Sequence, residues 1–355
     1  MSTLTASSPV RSFLAHPVAG KVLRGVIAAG GGTEEALAPA LGLPLDKLVE
    51  MSGGRFPAEV VGLLVGIAET GVIPDGVPTA DAAPASAPAE PAPDLGIEIG
   101  SHQPWTELLT GGRFSGQTVV VTGAAGGIGK AVAARIIGEG GHVVGIDVSA
   151  EKLSTAATEL GERFYALAAD ITAPETGSEV LAAAGERIDA LANVAGVMDD
   201  DAAPHEIDDT IWARCMSVNV DGPMRLMRAV LPGMLAAGEG RIVNVVSEAG
   251  LRGSAAGAAY TTSKHALVGL TKSAAFQYAG TGVRINALAP GAVATGIHVP
   301  EGAPYGSSRT AGMRVAIPGI ATAEELAASI TFLLSRDSVN INGAVVASDG
   351  GWSAA

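Results

Sequence analysis

Tyr260 and Lys264 stand four residues apart in YTTSK. On a helix that spacing places two side chains on one face. An ammonium beside a phenol favours the phenolate and draws its pKa down from about 10. A phenol tuned in this way exchanges a proton with an alcohol or a ketone near neutral pH. Ser247 lies thirteen residues before Tyr260, at the end of the run GRIVNVVS, where its hydroxyl would sit at the carboxyl edge of a sheet. Asn219 lies in SVNVDG, earlier in the chain. A YxxxK spacing is a common accident, so its weight comes from what surrounds it.

A second constellation is Thr122-Gly123-Ala124-Ala125-Gly126-Gly127-Ile128-Gly129. It follows the strand-like run TVVVT and leads into a helix expected to begin near Lys130. Small residues let the backbone approach a pyrophosphate, and the helix N-terminus stabilises its charge. Glycine makes up 48 of 355 residues, so a glycine cluster alone is weak evidence; the strand before and the helix after give it meaning. Asp147 ends the next strand, 24 residues beyond Gly123. A carboxylate there accepts hydrogen bonds from the adenosine ribose hydroxyls and repels a 2′-phosphate. The glycine loop offers no Arg or Lys before Gly127 to balance such a phosphate, which favours NAD over NADP. The competing reading of Asp147 is a solvated turn residue.

These side chains need a scaffold, and the sequence describes one. Val/Ile-rich runs at 118–123, 142–147, 164–170, 188–196, 240–247, 283–291 and 344–351 alternate with Ala-rich amphipathic stretches. That alternation implies an α/β domain over 113–355, with a doubly wound parallel seven-stranded sheet covered on both faces. Before it, residues 79–93 read TADAAPASAPAEPAP, which cannot form a core and should be semi-extended. The expected division is a small helical domain at 1–76, a linker and lead-in at 77–112, and the α/β domain. In the helical part, Thr33 is a candidate N-cap before Glu34 and Glu35, with Leu37, Leu41 and Leu43 apolar and Gly42 with Pro44 as a stop. A second helix from Leu45 turns Leu48 and Val49 inward, and a third, 57–70, carries Val60, Val61, Leu64 and Ile67 on one stripe.

Composition sets limits. Lys+Arg 22 against Asp+Glu 36 gives a net charge of -14. A nucleic-acid binder needs cations to displace counterions, so this balance argues against one. Cys215 is the single cysteine, which excludes an intrachain disulfide and fits a reducing, cytoplasmic setting. The most apolar N-terminal stretch, 10–27, is interrupted by Arg11, His16, Lys21 and Arg24, so neither a membrane span nor a secretory leader is expected. The acid-free first 33 residues share that feature with organelle transit peptides, but acidic, helix-like sequence follows directly.

From about Arg113 to its end the chain resembles the short-chain dehydrogenase/reductase family. TGAAGGIG matches that family's cofactor loop, and NVAG at 193–196 resembles its NNAG motif, with Val194 in place of the second Asn. SVNVDG, Ser247 with YTTSK, PGAVAT at 290–295 and DGG at 349–351 follow in the family's order. The resemblance implies Tyr260 as general acid/base, Lys264 on the nicotinamide ribose, Ser247 on the substrate oxygen, and Asn219 holding a water in a proton relay. It places Gly123, Gly127, Ile128 and Gly129 along the dinucleotide, Asp147 on the ribose, and Asp170 and Ile171 beside the adenine. Asn193 and Gly196 would line the cofactor trough. Pro290, Gly291, Val293 and Thr295 belong to the cofactor-binding PGxVxT segment, the last two at the nicotinamide amide. It also implies NAD as cofactor, a small-molecule alcohol or ketone as substrate, and a homotetramer. The alternatives are a 3-oxoacyl-thioester reductase and a nucleotide-sensing protein acting through 1–76, which is in either case a candidate surface for a protein partner.

Other residues have plainer readings. His265 should leave the catalytic face, because one helical step turns about 100°. His205 lies in the acidic run MDDDAAPHEIDD (198–209), read as a solvated loop with no metal-ligand spacing. Cys215 reads as a buried thiol, and Trp212 with Met216 as core. Residues 296–320 read as a mobile lid whose His298, Tyr305, Arg309, Met313 and Arg314 could face substrate, although lid arginines usually face water. Glu248 and Leu251 are candidate pocket walls.

Overall fold

The computed structural model describes residues 4–30, 34, 37, 40–80, 106–185, 187–298 and 302–354, apart from 52–55. They fall into two compact units, 1–102 and 103–355. Thr33, Glu35 and most of the 79–93 tract lie outside the described residues.

The first unit is helical: α1 (Val10–Ala15), α2 (Ala19–Ala29), α3 (Lys47–Met51) and α4 (Ala58–Thr70). Helices α3 and α4 arise where apolar spacing predicts them, with Leu48, Leu64 and Ile67 buried and Val49, Val60 and Val61 half-buried. Helices α1 and α2 were not anticipated. They bury Val10, Phe13, Val22 and Leu23, while their basic residues lie on the other faces or half-exposed. Residues 78–80 return to α2, where the Ala80 N–H donates to the Lys21 carbonyl at 2.9 Å.

The second unit is a seven-stranded parallel sheet in the order β3-β2-β1-β4-β5-β6-β7. Its strands are β1 (Thr118–Thr122), β2 (His142–Asp147), β3 (Phe164–Ala168), β4 (Ala190–Asn193), β5 (Gly240–Val245), β6 (Val283–Pro290) and β7 (Val345–Ser348). Each lies within a run that the sequence marks. The crossovers are α5 (Gly127–Gly138), α6 (Ala150–Leu160), α7 (Thr176–Ala184), α8 (Asp209–Met216), α9 (Gly222–Ala237), α10 (Ala258–Gln277), α11 (Pro304–Arg314) and α12 (Ala323–Leu334).

Strand alternation decides which core each side chain joins. Val119 and Val121 pack with Val132 and Ile136 of α5 and Ile330 of α12 on one face. Val120 packs with Val180 of α7 and Leu226 and Val230 of α9 on the other. Chain order reverses between β1 and β4, so a crevice opens at their carboxyl ends, where ligands bind in sheets of this kind. Among the described residues no helix is long and apolar enough to cross a membrane.

Candidate active site

The crevice is built from the ends of strands. Helix α5 starts at Gly127, three residues earlier than the sequence reading places it, with Gly126 extended before it. Three glycines there are tightly constrained. Gly123 has φ +68°, and a Cβ on it would stand 3.2 Å from the Ala195 backbone. Gly127 has φ +50° and faces the Thr295 side chain at 3.3 Å, whereas a Cβ on Gly129 would meet the Gly123 carbonyl oxygen at 2.1 Å. The outer side of Gly126 is open, with nothing within 4 Å of the Cβ position. The first N–H groups of a helix have no intrahelical acceptors, so this bare turn suits a phosphate.

Asp147 ends β2 beside the turn. Its Oδ2 accepts from the Ala125 N–H at 3.3 Å and its Oδ1 from the Ser149 N–H at 3.0 Å. The bland reading of a wholly solvated carboxylate therefore gives way to one braced against the glycine loop. Further along the edge, Asp170 is exposed and accepts from the Thr172 N–H and hydroxyl, each at 2.8 Å, while Ile171 is buried against Gly222. Asn193 donates to Asn244 Oδ1 at 2.8 Å, tying the ends of β4 and β5 together.

Thr122 was quoted in the loop but given no role by sequence reasoning. Its hydroxyl accepts from the N–H groups of Val194 and Ala195, both at 2.9 Å, and so fixes the crevice between β1 and β4. A β-branched hydroxyl residue directly before the first loop glycine was the available signal.

Asn219, Ser247, Tyr260 and Lys264 converge across the crevice. Asn219 sits in a π-turn, Ser217–Asp221, joining α8 to α9, a local irregularity that often marks a functional site. Its Oδ1 accepts from the Val197 N–H at 2.9 Å; its Nδ2 donates to the Val197 carbonyl at 2.9 Å and to Ser263 Oγ at 3.0 Å. Tyr260 and Lys264 share the inner face of α10, and the ammonium lies 5.4 Å from the centre of the phenol ring. Lys264 Nζ donates to the Val245 carbonyl at 3.0 Å. The Ser247 hydroxyl accepts from the Ala249 N–H at 3.1 Å and lies close enough to the Tyr260 phenol to lower its proton affinity. Gly196 closes the floor: a Cβ there would lie 3.2 Å from Asn219 Oδ1 and 3.4 Å from Lys264 Nζ.

The electrostatics differ from the sequence expectation. Burial pushes the Tyr260 phenol up to about 12, against the smaller downward pull of Ser247 and with a further upward push from the Asp199 carboxylate. Burial also brings Lys264 down to about 8. In the protein alone, desolvation decides the direction for both groups.

On the remaining side of the edge, Pro290 pairs with Ser348, and a Cβ on Gly291 would stand 2.9 Å from Asp349. Val293 forms a parallel bridge with Ala321, which holds Thr295 over Gly127. His265 is exposed and bonds the Thr261 carbonyl through its ring. Cys215 is buried and its thiol is pushed up to about 11 by desolvation, so it is unreactive.

Four expectations are corrected. The acidic run 198–209 is solvated only in part: His205, Asp208 and Asp209 are exposed as expected, but Asp199 and Asp201 are buried, Asp199 accepts from the Tyr260 N–H, and Glu206 accepts from the N–H groups of Tyr305 and Gly306. Much of the expected lid is helix α11, and its exposed Arg314 pairs with Asp201 rather than turning to substrate. Trp212 is 39% exposed, because α8 fully buries only Cys215. Glu248 is buried and paired with Arg252, which stacks on Trp352, so it is no free pocket wall. Arg309, Tyr305, His298 and Leu251 are exposed, and Met313 is half-buried.

The family model for short chain dehydrogenases matches residues 117–306. The chain is 40% identical over 262 residues to the short-chain dehydrogenase/reductase olcF of Penicillium canescens, covering 68% of this chain and 98% of that protein. The chain belongs to the short-chain dehydrogenase/reductase family. Asnovolin H dehydrogenase nvfC of Aspergillus novofumigatus is 37% identical over 257 residues, covering 68% of this chain and 99% of nvfC. Among solved structures, a putative NAD(P)-dependent gluconate 5-dehydrogenase from Beutenbergia cavernae, with bound NADP, has a TM-score of 0.60 and 34% identity, covering 69% of this chain and all of that one. As an oxidoreductase of this family, the chain presents a crevice whose open glycine turn and braced carboxylate fit a nicotinamide dinucleotide. The helical first unit lies outside the matched 117–306 segment.

Proposed function

We propose that the protein is an NAD-dependent oxidoreductase that interconverts a secondary alcohol and a ketone, with Tyr260 as general acid/base. The observation that carries the reading is the buried Tyr260 phenol, beside Ser247 and Lys264, at the same strand edge as the open glycine turn. The cofactor, when bound, supplies the acceptor or donor of hydride.

The chain's own residues handle the oxygen and its proton. Ser247 orients the substrate oxygen beside the phenol. With its phenol held near 12, Tyr260 is protonated at neutral pH and is set to give its proton to a ketone oxygen. Oxidation asks for the opposite transfer, and added positive charge beside the ring favours it. Lys264, brought down to about 8, still holds its proton at pH 7 and can exchange it nearby. Asn219 holds the Val197 backbone beside Lys264, the place for a water that returns the proton to solvent.

Asp147 supports NAD as the cofactor. Each oxygen accepts one backbone N–H and keeps lone pairs for ribose hydroxyls, and its charge opposes a 2′-phosphate. A solved relative carries NADP, so both dinucleotides belong in the test. Absorbance at 340 nm is followed with NAD or NADP and a panel of secondary alcohols, diols and sugars, and in reverse with ketones. Reduction of NAD by some alcohols, lost in Tyr260→Phe, is the expected result. Full turnover by Tyr260→Phe would overturn the mechanism, and preference for NADP would overturn the cofactor assignment.

A further inference from the structure

Helix α10 carries the acid/base pair, yet its own N-cap, Gly257, has no side chain to satisfy the first-turn N–H groups. The acceptor comes from a segment 58 residues earlier in sequence. Asp199 accepts from the Gly257 N–H at 3.2 Å and from the Tyr260 N–H at 2.8 Å. The Ala202 carbonyl takes the Ala258 N–H at 2.9 Å. A Cβ on Gly257 would stand 2.5 Å from Asp199 Oδ2 and 2.6 Å from the Ala202 nitrogen, so the close approach of loop and helix depends on glycine.

The other side of the same loop holds α11. Asp201, in the left-handed region at φ 59°, pairs with Arg314. The Asp200 carbonyl accepts from the Ala303 N–H at 2.7 Å, and Glu206 accepts from the Tyr305 and Gly306 N–H groups at 2.8 and 2.9 Å. A non-glycine residue in that conformation persists only where its surroundings fix it. Asp199 also takes the Asp201 N–H at 3.2 Å, so one carboxylate holds both the loop and the first turn of α10.

We propose that Asp199 is a positioning residue for Tyr260: its buried carboxylate caps the helix that carries the phenol, and the loop it anchors ties that turn to α11. The proposal rests on the acid/base reading of Tyr260. A neutral cap would hold a helix start about as well, so a buried charge at this place has a second consequence. The groups acting on the phenol are Ser247, Lys264, Cys215 and Asp199, and the Asp199 charge works to keep it protonated.

Two substitutions separate cap from charge. Asp199→Asn removes the charge and keeps one of the two acceptor oxygens, enough for either the Oδ1 or the Oδ2 contacts, whereas Asp199→Ala removes both oxygens and the charge. Each is measured for kcat and KM across pH. Each is also titrated by tyrosinate absorbance, as a difference against the same protein carrying Tyr260→Phe, which needs no turnover. Asp199→Ala is expected to lower kcat about tenfold or more, with KM within about threefold, as a displaced reacting group does. Asp199→Asn, keeping one of the two acceptors, is expected to recover part of that kcat and to titrate Tyr260 at lower pH than the unsubstituted protein. Unchanged kcat in Asp199→Ala, or an unmoved phenol titration in Asp199→Asn, would overturn the proposal. If Asp199→Ala does not fold, Asp199→Ser supplies a shorter neutral cap for the same two readings. A protein silent on every alcohol and ketone would sink the functional reading, while the titration would still decide the role of Asp199.

Discussion

At the carboxyl end of the sheet Lys264 is buried with a carbonyl as its acceptor, and the buried Tyr260 phenol lies beside a neutral serine. At the amino end, Glu139 is fully buried but gripped by Arg113 at 2.6 and 2.8 Å and flanked by Arg135 at 3.5 Å. Further along the same end, before β5, Glu239 meets Arg187, Arg241 and Arg336 at 3.1–3.3 Å. One end neutralises its charges among themselves, and the other leaves a titratable pair partly unmet. Burial without a counter-charge costs stability but keeps proton affinities far from their usual values, the condition of a site that moves protons. The contrast predicts that substitutions at the two ends separate activity from stability.

The largest effect belongs to Tyr260→Phe. Turnover should fall by about 10²–10⁴, the usual contribution of a general acid/base, while thermal melting stays near that of the unsubstituted protein. Second comes Glu139→Gln, which takes the carboxylate from Arg113, while Arg135 keeps Glu107. Removing one partner of a buried pair costs about 3–5 kcal/mol, readable as a lower denaturant midpoint, with kcat per folded molecule unchanged. A turnover loss matching the loss of Glu139 would blur the division between the two ends.

What was legible in the sequence follows the same division. The strands and the Tyr260–Lys264 face are periodic, so local pattern was enough to place them. Tyr260's proton affinity was misjudged because its direction depends on burial, which no spacing encodes. Asp199 was missed for a related reason: three consecutive acids read as solvated, and only the fold brings a helix start 58 residues away onto one of them. Helices α1 and α2 were missed because basic residues interrupt their apolar runs. The start of α5 was placed late because glycines, poor helix formers, make its first turn.

Third in size is Lys264→Met. Lys264 falls from 10.5 to about 8 on folding, so between those values the unfolded chain binds more protons than the folded one. Stability of the unsubstituted protein therefore rises with pH across that window. Methionine removes the buried charge, and Lys264→Met should be more stable at pH 7 by at most about 3 kcal/mol, an advantage that shrinks as pH rises from about 8 and is gone by about 10.5. Tyr260 has the opposite slope between about 10 and 12, but it is present in both proteins and largely cancels in the difference. Chemical denaturation at pH 7 and at pH 10.5 checks this. No gain at pH 7 would mean that Lys264 is better solvated than its contacts indicate.

The smallest expected effect is the most specific. Asp147→Asn can keep the Oδ1 acceptor for Ser149 but loses the charge. If Asp147 discriminates by repelling a 2′-phosphate, the preference for NAD over NADP should fall by about tenfold, or about 1.4 kcal/mol. The ratio of kcat/KM values with the two dinucleotides reads this directly. If both fall together, the carboxylate serves chiefly to brace the Ala125 turn, and the choice of dinucleotide lies elsewhere along the loop. If only the NAD value falls, the charge contributes through the ribose hydroxyls rather than by repulsion. Each outcome assigns Asp147 a different share of binding and bracing, at the end of the sheet where polar groups are left free to meet a ligand.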